Sequence, residues 1–172
     1  GNNGHIGFNE PGSSIHSKTR LIALENSTRL ANSYEFQHIS QVPRLAITMG
    51  ISTILKAKRI VLMAWGPSKA PVIQKSIEGH LTEQIPASLL QQHPDALFVV
   101  DEQAAAELTR FKSPWLTGEI DWTPKVTKRA VVNMALKLKK PVLSLTNNDY
   151  NEFGLGDLIV EEGDAYEINL QV

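Results

Sequence analysis

An α/β fold, a parallel sheet with helices on its faces, is predicted by three observations. The apolar run IVLMAW lies between Arg59 and Gly66 and has the length of one strand. A glycine-proline loop and a helix-prone segment follow it. The same strand–loop–helix order returns on either side, about every 25 to 35 residues, which is the rhythm of βα units.

Taken in order, Leu45-AITM-Gly50 reads as a short strand and ISTILKAK after it has helical spacing. The run 60–65 is apolar throughout, which suits a parallel strand buried on both faces. Ser68 can cap the next helix and Pro71 is tolerated in its first turn, where N–H groups lack partners. Gly79 can end it. His93-Pro94 ends a helix, Ala96-LFVV-Asp101 is a third strand, and EQAAAEL is helix-prone. From about Leu108 the character changes. RFKSPWLTGEIDWTP holds two of the three tryptophans and reads as an ordered connection. Thr123-Pro124 then caps a helix running to about Leu138, with Val126, Ala130, Val131, Met134 and Leu138 on one stripe. PVLSL reads as a strand, NNDYNEFGLGD as turns, and AYEINLQV, which alternates, as a strand. Both ends read as though cut from something longer.

The chain has 172 residues, 42% of them hydrophobic, and a net charge of −1. That balance does not point to nucleic acid or an anionic membrane as partner. Charge is locally uneven: residues 121–140 are basic and 141–172 acidic, which reads as a basic helix packed beside an acidic tail. There are no cysteines, so disulfides and thiolate metal sites are excluded and a reducing, cytoplasmic setting is expected. No apolar run approaches the ~20 residues of a membrane span. His16, His38, His80 and His93 fall into no metal-ligand spacing, and neither a metal nor another cofactor is expected.

Two places carry chemistry. Lys69 lies just past the carboxyl end of a predicted parallel strand, where ligands bind in open sheets, at a helix start that favours anions. A phosphate or carboxylate site and a solvated surface lysine both fit. In GNNGHIGFNEPGSS, three glycines would let the backbone approach a ligand, His5 can move protons near neutrality, and Glu10 can orient or charge-balance it. A histidine satisfied by backbone and a glutamate capping a turn fit equally.

GHIGFNEPGSS, SKTRLIAL, TRLANS, QVPRLAITMGISTILKAKRIVLMAWG and LLQQHPDALFVVDEQAAAEL, in this order and spacing, resemble the second half of the glucosamine-6-phosphate deaminase family. The resemblance covers about residues 1–108. It implies a Rossmann-like sheet truncated on its N-terminal side, with 109–172 an extension like that of longer bacterial members. It implies conversion of glucosamine 6-phosphate and water to fructose 6-phosphate and ammonia, or of the galactosamine epimer. The partners implied are an amino-sugar phosphate and further copies of the chain in a homo-oligomer.

By resemblance, the ring-opening histidine falls on His5, its glutamate partner on Glu10 and the phosphate-binding lysine on Lys69, with Gly4 beside the substrate. The family's Asp–His–Glu relay has Asn3 in place of its aspartate. Asparagine can hold the ring but cannot supply charge to an imidazolium. A phosphate-contacting arginine corresponds to Tyr34. In an allosteric site Ser13 and Arg20 are matched, but a lysine is replaced by Ile22, which argues against activation by a sugar phosphate. The aspartate base and the Ser/Gly phosphate loop of the family belong to the preceding half, so this chain by itself is expected to be inactive. A binding module that holds a sugar phosphate without converting it, and a 6-phosphogluconolactonase-like hydrolase, are the alternatives.

Overall fold

The computed structural model describes residues 1–172, which form two compact units, 1–108 and 109–172. No helix is long and apolar enough to cross a membrane.

In the first unit, β1 (Arg20–Ala23) precedes α1 (Asn26–Ala31), and β2 (Leu45–Thr48) precedes α2 (Ile51–Ile54). Then β3 (Ile60–Ala64) leads to α3 (Ala70–Ile77), and β4 (Ala96–Val100) to α4 (Glu102–Ala105). β3 and β4 pair in parallel, with Ile60 beside Ala96 and Leu62 beside Phe98, as the βα rhythm requires. β2 departs from the expectation. It pairs antiparallel with β1, whose RLIA stretch was not read as a strand, and stands outside the β3–β4 sheet.

The apolar run of β3 is not covered on both faces. Ile60, Leu62, Ala96 and Phe98 pack on a core of Ile6, Ile51, Ala87, Leu89 and Leu90. Val61, Met63, Leu97 and Val99 point the other way and are exposed, because alternate residues of a strand face opposite sides and no element of the unit covers the second.

The turn after β3 also differs in detail. Ser68 makes no capping hydrogen bond; it lies inside a 3₁₀ turn, Pro67–Lys69, that runs straight into α3. Gly66 adopts φ +85°, open to glycine, and its N–H donates to both carboxylate oxygens of Asp101 at 3.0 and 3.1 Å. Asp101 also caps α4 through the Ala104 N–H at 2.8 Å. One carboxylate thereby ties together the carboxyl ends of β3 and β4. His93 does end a helical stretch, the 3₁₀ segment Pro86–Gln92.

The second unit is helical: α5 (Thr109–Lys112), α6 (Pro124–Leu138), α7 (Asn147–Glu152), α8 (Gly156–Glu162) and α9 (Ala165–Gln171). α6 has the expected bounds, and Thr123 accepts from the Val126 N–H at its start. Its buried stripe is Thr127, Ala130, Val131, Met134 and Ala135, while Leu138 is exposed.

Three readings of the tail are corrected. PVLSL forms a 3₁₀ turn, Val142–Ser144. NNDYNE is α7, because Thr146 and Asp149 exchange hydrogen bonds in a capping box. AYEINLQ is α9: Asp164 caps it, and Ala165, Ile168 and Asn169 are buried at the i, i+3, i+4 spacing that apparent alternation concealed.

Basic and acidic segments do meet, with Lys140 on the Asp149 carboxylate. Lys140 and the Thr146 N–H and hydroxyl hold that carboxyl well below the usual range, at about 2.

Candidate active site

The loop 1–10 is clamped before any ligand is considered. Gly4 has φ +78°, and a β-carbon there would come within 2.7 Å of Ile85 and 3.1 Å of Val72. Its carbonyl accepts from the Ala87 N–H at 2.9 Å. The turn can therefore sit against α3 and the 86–92 segment only with glycine at position 4. Asn9 is fully buried and fixes the far end, donating to the carbonyls of Ile6 at 2.9 Å and Met49 at 2.7 Å.

His5, half-buried, has Nδ1 2.7 Å from the Gly7 carbonyl. A carbonyl only accepts, so Nδ1 carries the proton and the neutral ring keeps its lone pair on Nε2. Burial lowers the His5 pKa below its ordinary 6.5, with Lys69 adding to it; the Gly7 hydrogen bond and Glu10 oppose them. The ring is poised as a neutral proton acceptor.

The imidazole's hydrogen bond goes to Gly7, so Glu10 does not orient it directly. The Glu10 Oε2 accepts from Asn3 Nδ2 at 2.7 Å, and Asn3 Oδ1 accepts from the His5 backbone N–H at 3.2 Å. Glu10 is 5% exposed, and its Oε1 is buried without a partner. Asn3 thus links the carboxylate to the His5 main chain, and Glu10 reaches the ring only as a nearby negative charge.

Lys69 comes to the same place from the 3₁₀ turn that precedes α3. Its Nζ donates to Asn2 Oδ1 at 2.6 Å. Lys69, Gly1, Gly4 and His5 line a cleft of about 440 Å³ walled by Leu62, Trp65 and Val72. Gly1, His5 and Lys69 also border a recess of about 500 Å³ with Asn3, Ser27, Thr28 and Asn32. Hydroxyls and amides beside an ammonium suit a polar, anionic ligand.

Tyr34 is not brought there. It is 79% exposed on the 3₁₀ turn Ser33–Glu35 and lines neither cavity. Its phenol bonds Glu35, which raises its pKa. Ser13 and Arg20 meet at 3.2 Å, and Arg20 also donates to Asn9 at 2.8 Å. They line another cavity, of about 450 Å³, with Glu10, Ile22 and Glu25.

Sequence reasoning missed Asn2, Asn9, Glu25 and Asp101. Asp101 had a signal, an acid directly between a strand and a helix-prone segment. Asn2 and Glu25 reach their partners only through the folded loop.

Comparison with known proteins gives one consistent direction. The chain is 45% identical over 169 residues to a Bacteroides thetaiotaomicron protein described as glucosamine-6-phosphate deaminase-like, covering 98% of this chain and 26% of that one. It is 48% identical over 110 residues to the glucosamine-6-phosphate deaminase of Oenococcus oeni, covering 64% of this chain and 47% of that protein. The Rhodopirellula baltica deaminase is 52% identical over 110 residues, with 64% and 44% covered. Among solved structures, a monomeric glucosamine-6-phosphate deaminase of the NagB superfamily matches with a TM-score of 0.61 and 48% identity, over 62% of this chain and 44% of that one. No family model matches. The chain spans less than half the length of the curated deaminases it matches. Since the solved relative is described as monomeric, the expected homo-oligomer has no support.

Proposed function

We propose that this chain, which belongs to the glucosamine-6-phosphate deaminase family, supplies the ring-opening and phosphate-binding side of an amino-sugar-phosphate deaminase site. The observation that carries the proposal is that His5 and Lys69, 64 positions apart in sequence, border one cleft. In this reading the free Nε2 of His5 takes the anomeric hydroxyl proton and returns it to the ring oxygen. The Glu10 charge favours the transient imidazolium, and Lys69 exchanges Asn2 for the substrate phosphate. Enolisation between sugar carbons 1 and 2 needs a further base, and no carboxylate lines the cleft. The matched stretch is less than half of the relatives' length, and in this reading the base comes from outside these 172 residues, which are not expected to release ammonia by themselves.

A second reading is a sugar-phosphate-binding module. It is favoured by one feature: a neutral amide, Asn3, stands between Glu10 and His5, so no carboxylate bonds the ring.

The two part on ammonia release by the full-length protein, offered glucosamine 6-phosphate and galactosamine 6-phosphate in parallel. Turnover of either is the expected result and identifies the epimer. Saturable binding of both with no ammonia would overturn the enzyme reading in favour of the binding module.

A further inference from the structure

Asn3 sits among three groups that decide how its amide must face. Glu10 Oε2 lies 2.7 Å from Nδ2, Glu25 Oε2 lies 3.4 Å from the same nitrogen, and the His5 N–H lies 3.2 Å from Oδ1. An ionised carboxylate only accepts and a peptide N–H only donates. A flipped amide would set oxygen against two carboxylates and NH₂ against an N–H. An amide nitrogen has two hydrogens, and here each has its own carboxylate. With both engaged, the amide plane is fixed and Oδ1 is aimed at the His5 backbone. Glu10 alone would leave one hydrogen free and the plane able to tilt.

We propose that Glu25 is a positioning residue for the histidine loop, acting through Asn3, and that Asn3 and Glu25 form a matched pair in which an amide at position 3 requires a carboxylate or amide acceptor at position 25. This rests on the deaminase reading only for its kinetic consequence. Ser27 Oγ, 3.3 Å from the same Glu25 oxygen, steadies it from α1. Glu25 stands at the N-cap position of α1 without capping it, so its side chain is committed to Asn3 and Ser27.

The same geometry predicts that an aspartate would be poorly placed at position 3. It would place three carboxylates on one another, with the His5 N–H and Ser27 as the donors among them. Like charges that share no cation destabilise one another.

The test uses the full-length protein and two readouts. The first is the ¹H–¹⁵N resonance of the His5 amide, which reports its hydrogen bond to Asn3 without any turnover. Glu25 is exposed, so its substitutions leave the core intact. Glu25→Ala is expected to move the His5 resonance upfield, and Glu25→Gln, which keeps an acceptor, to restore it. The second readout is kcat. Asn3→Asp is expected to cut kcat about tenfold with Glu25 present, and to cost no more than about threefold in the Asn3→Asp, Glu25→Gln double variant, a coupling normal for groups in contact. A His5 resonance indifferent to Glu25→Ala, or an Asn3→Asp loss equal in both backgrounds, overturns the pairing. If the unsubstituted protein releases no ammonia, the deaminase reading has failed and the resonance alone decides the pairing.

Discussion

Residues 109–172 and residues 1–108 build their cores differently. The smaller unit closes around Tyr150, Met134, Leu155, Leu158 and Ile168, each nearly inaccessible to solvent. Tyr150 also brings a polar end inside, and its hydroxyl donates to Asn169 at 2.8 Å while Asn169 donates to the Leu145 carbonyl at 2.9 Å. Burial pushes that phenol up to about 12. The larger unit has a two-stranded parallel sheet with one face bare, and two of its buried polar groups, Asn9 and Glu10, lie in the loop around His5. The contrast teaches where each unit keeps its polar groups. The helical unit pairs Tyr150 with Asn169 inside its core, although Trp115 Nε1 and Asn133 Oδ1 are buried there without partners. The α/β unit holds Glu10, with an oxygen unpartnered, beside a cleft, an arrangement that costs stability and suits chemistry.

That contrast can be broken by substitution, beginning with the largest effect. His5→Gln in the full-length protein should lower kcat about 10²- to 10⁴-fold, the range for loss of a general acid–base, with KM changed little. Ammonia release measures it, and an intact kcat would remove His5 from the ring-opening role. In the helical unit the corresponding blow falls on stability. Tyr150→Ala should cost about 3–5 kcal/mol, as expected for emptying a fully buried aromatic site, without changing kcat below the melting temperature. Urea melts beside kinetics would show the separation, and a parallel loss of kcat would mean that the helical unit shares in the site.

Next in size, Lys69→Ala should weaken binding of the phosphorylated sugar by about 2 kcal/mol, one charge-assisted hydrogen bond, and leave an unphosphorylated analogue unaffected. Equal loss for both would contradict a phosphate role. Thr123→Ala removes only the cap of α6 and should cost about 1 kcal/mol in a thermal melt.

The smallest effect is on pH dependence. Because the His5 pKa is lowered in the folded state, its contribution to stability is full above 6.5 and is lost as pH falls through the depressed native value. The Asp149 contribution is full above 3.8 and is lost only as pH falls through about 2. Hydrogen exchange followed by peptide should therefore loosen residues 1–108 before 109–172 as pH drops below 6.5. His5→Gln should remove that difference, and simultaneous loosening in both forms would refute the assignment.

Much of this was legible beforehand where one physical signal dominated. The βα rhythm located β3, α3 and β4, and the Thr-Pro start with a 3.6-residue stripe located α6. The placement of Lys69 past the end of a parallel strand followed from topology alone. Legibility failed where two periods fit the same letters. In AYEINLQV, Tyr166, Ile168 and Leu170 alternate, yet Asp164 caps a helix that buries Ala165, Ile168 and Asn169. It failed again where partners lie far apart in sequence, as with Lys69 and Asn2 or Asn3 and Glu25.

The sequence by itself determined the elements from β2 to α4 in the first unit, the long helix of the second, and the residue types in the histidine loop. These depend on local periodicity, caps and turns, which neighbouring residues decide among themselves. Only the tertiary structure decided that β2 turns antiparallel to β1, that Tyr34 stays in solvent, and that Glu10 meets His5 through an amide rather than at the ring. Each of those depends on which groups the fold brings within three or four ångströms, the range in which hydrogen bonds form.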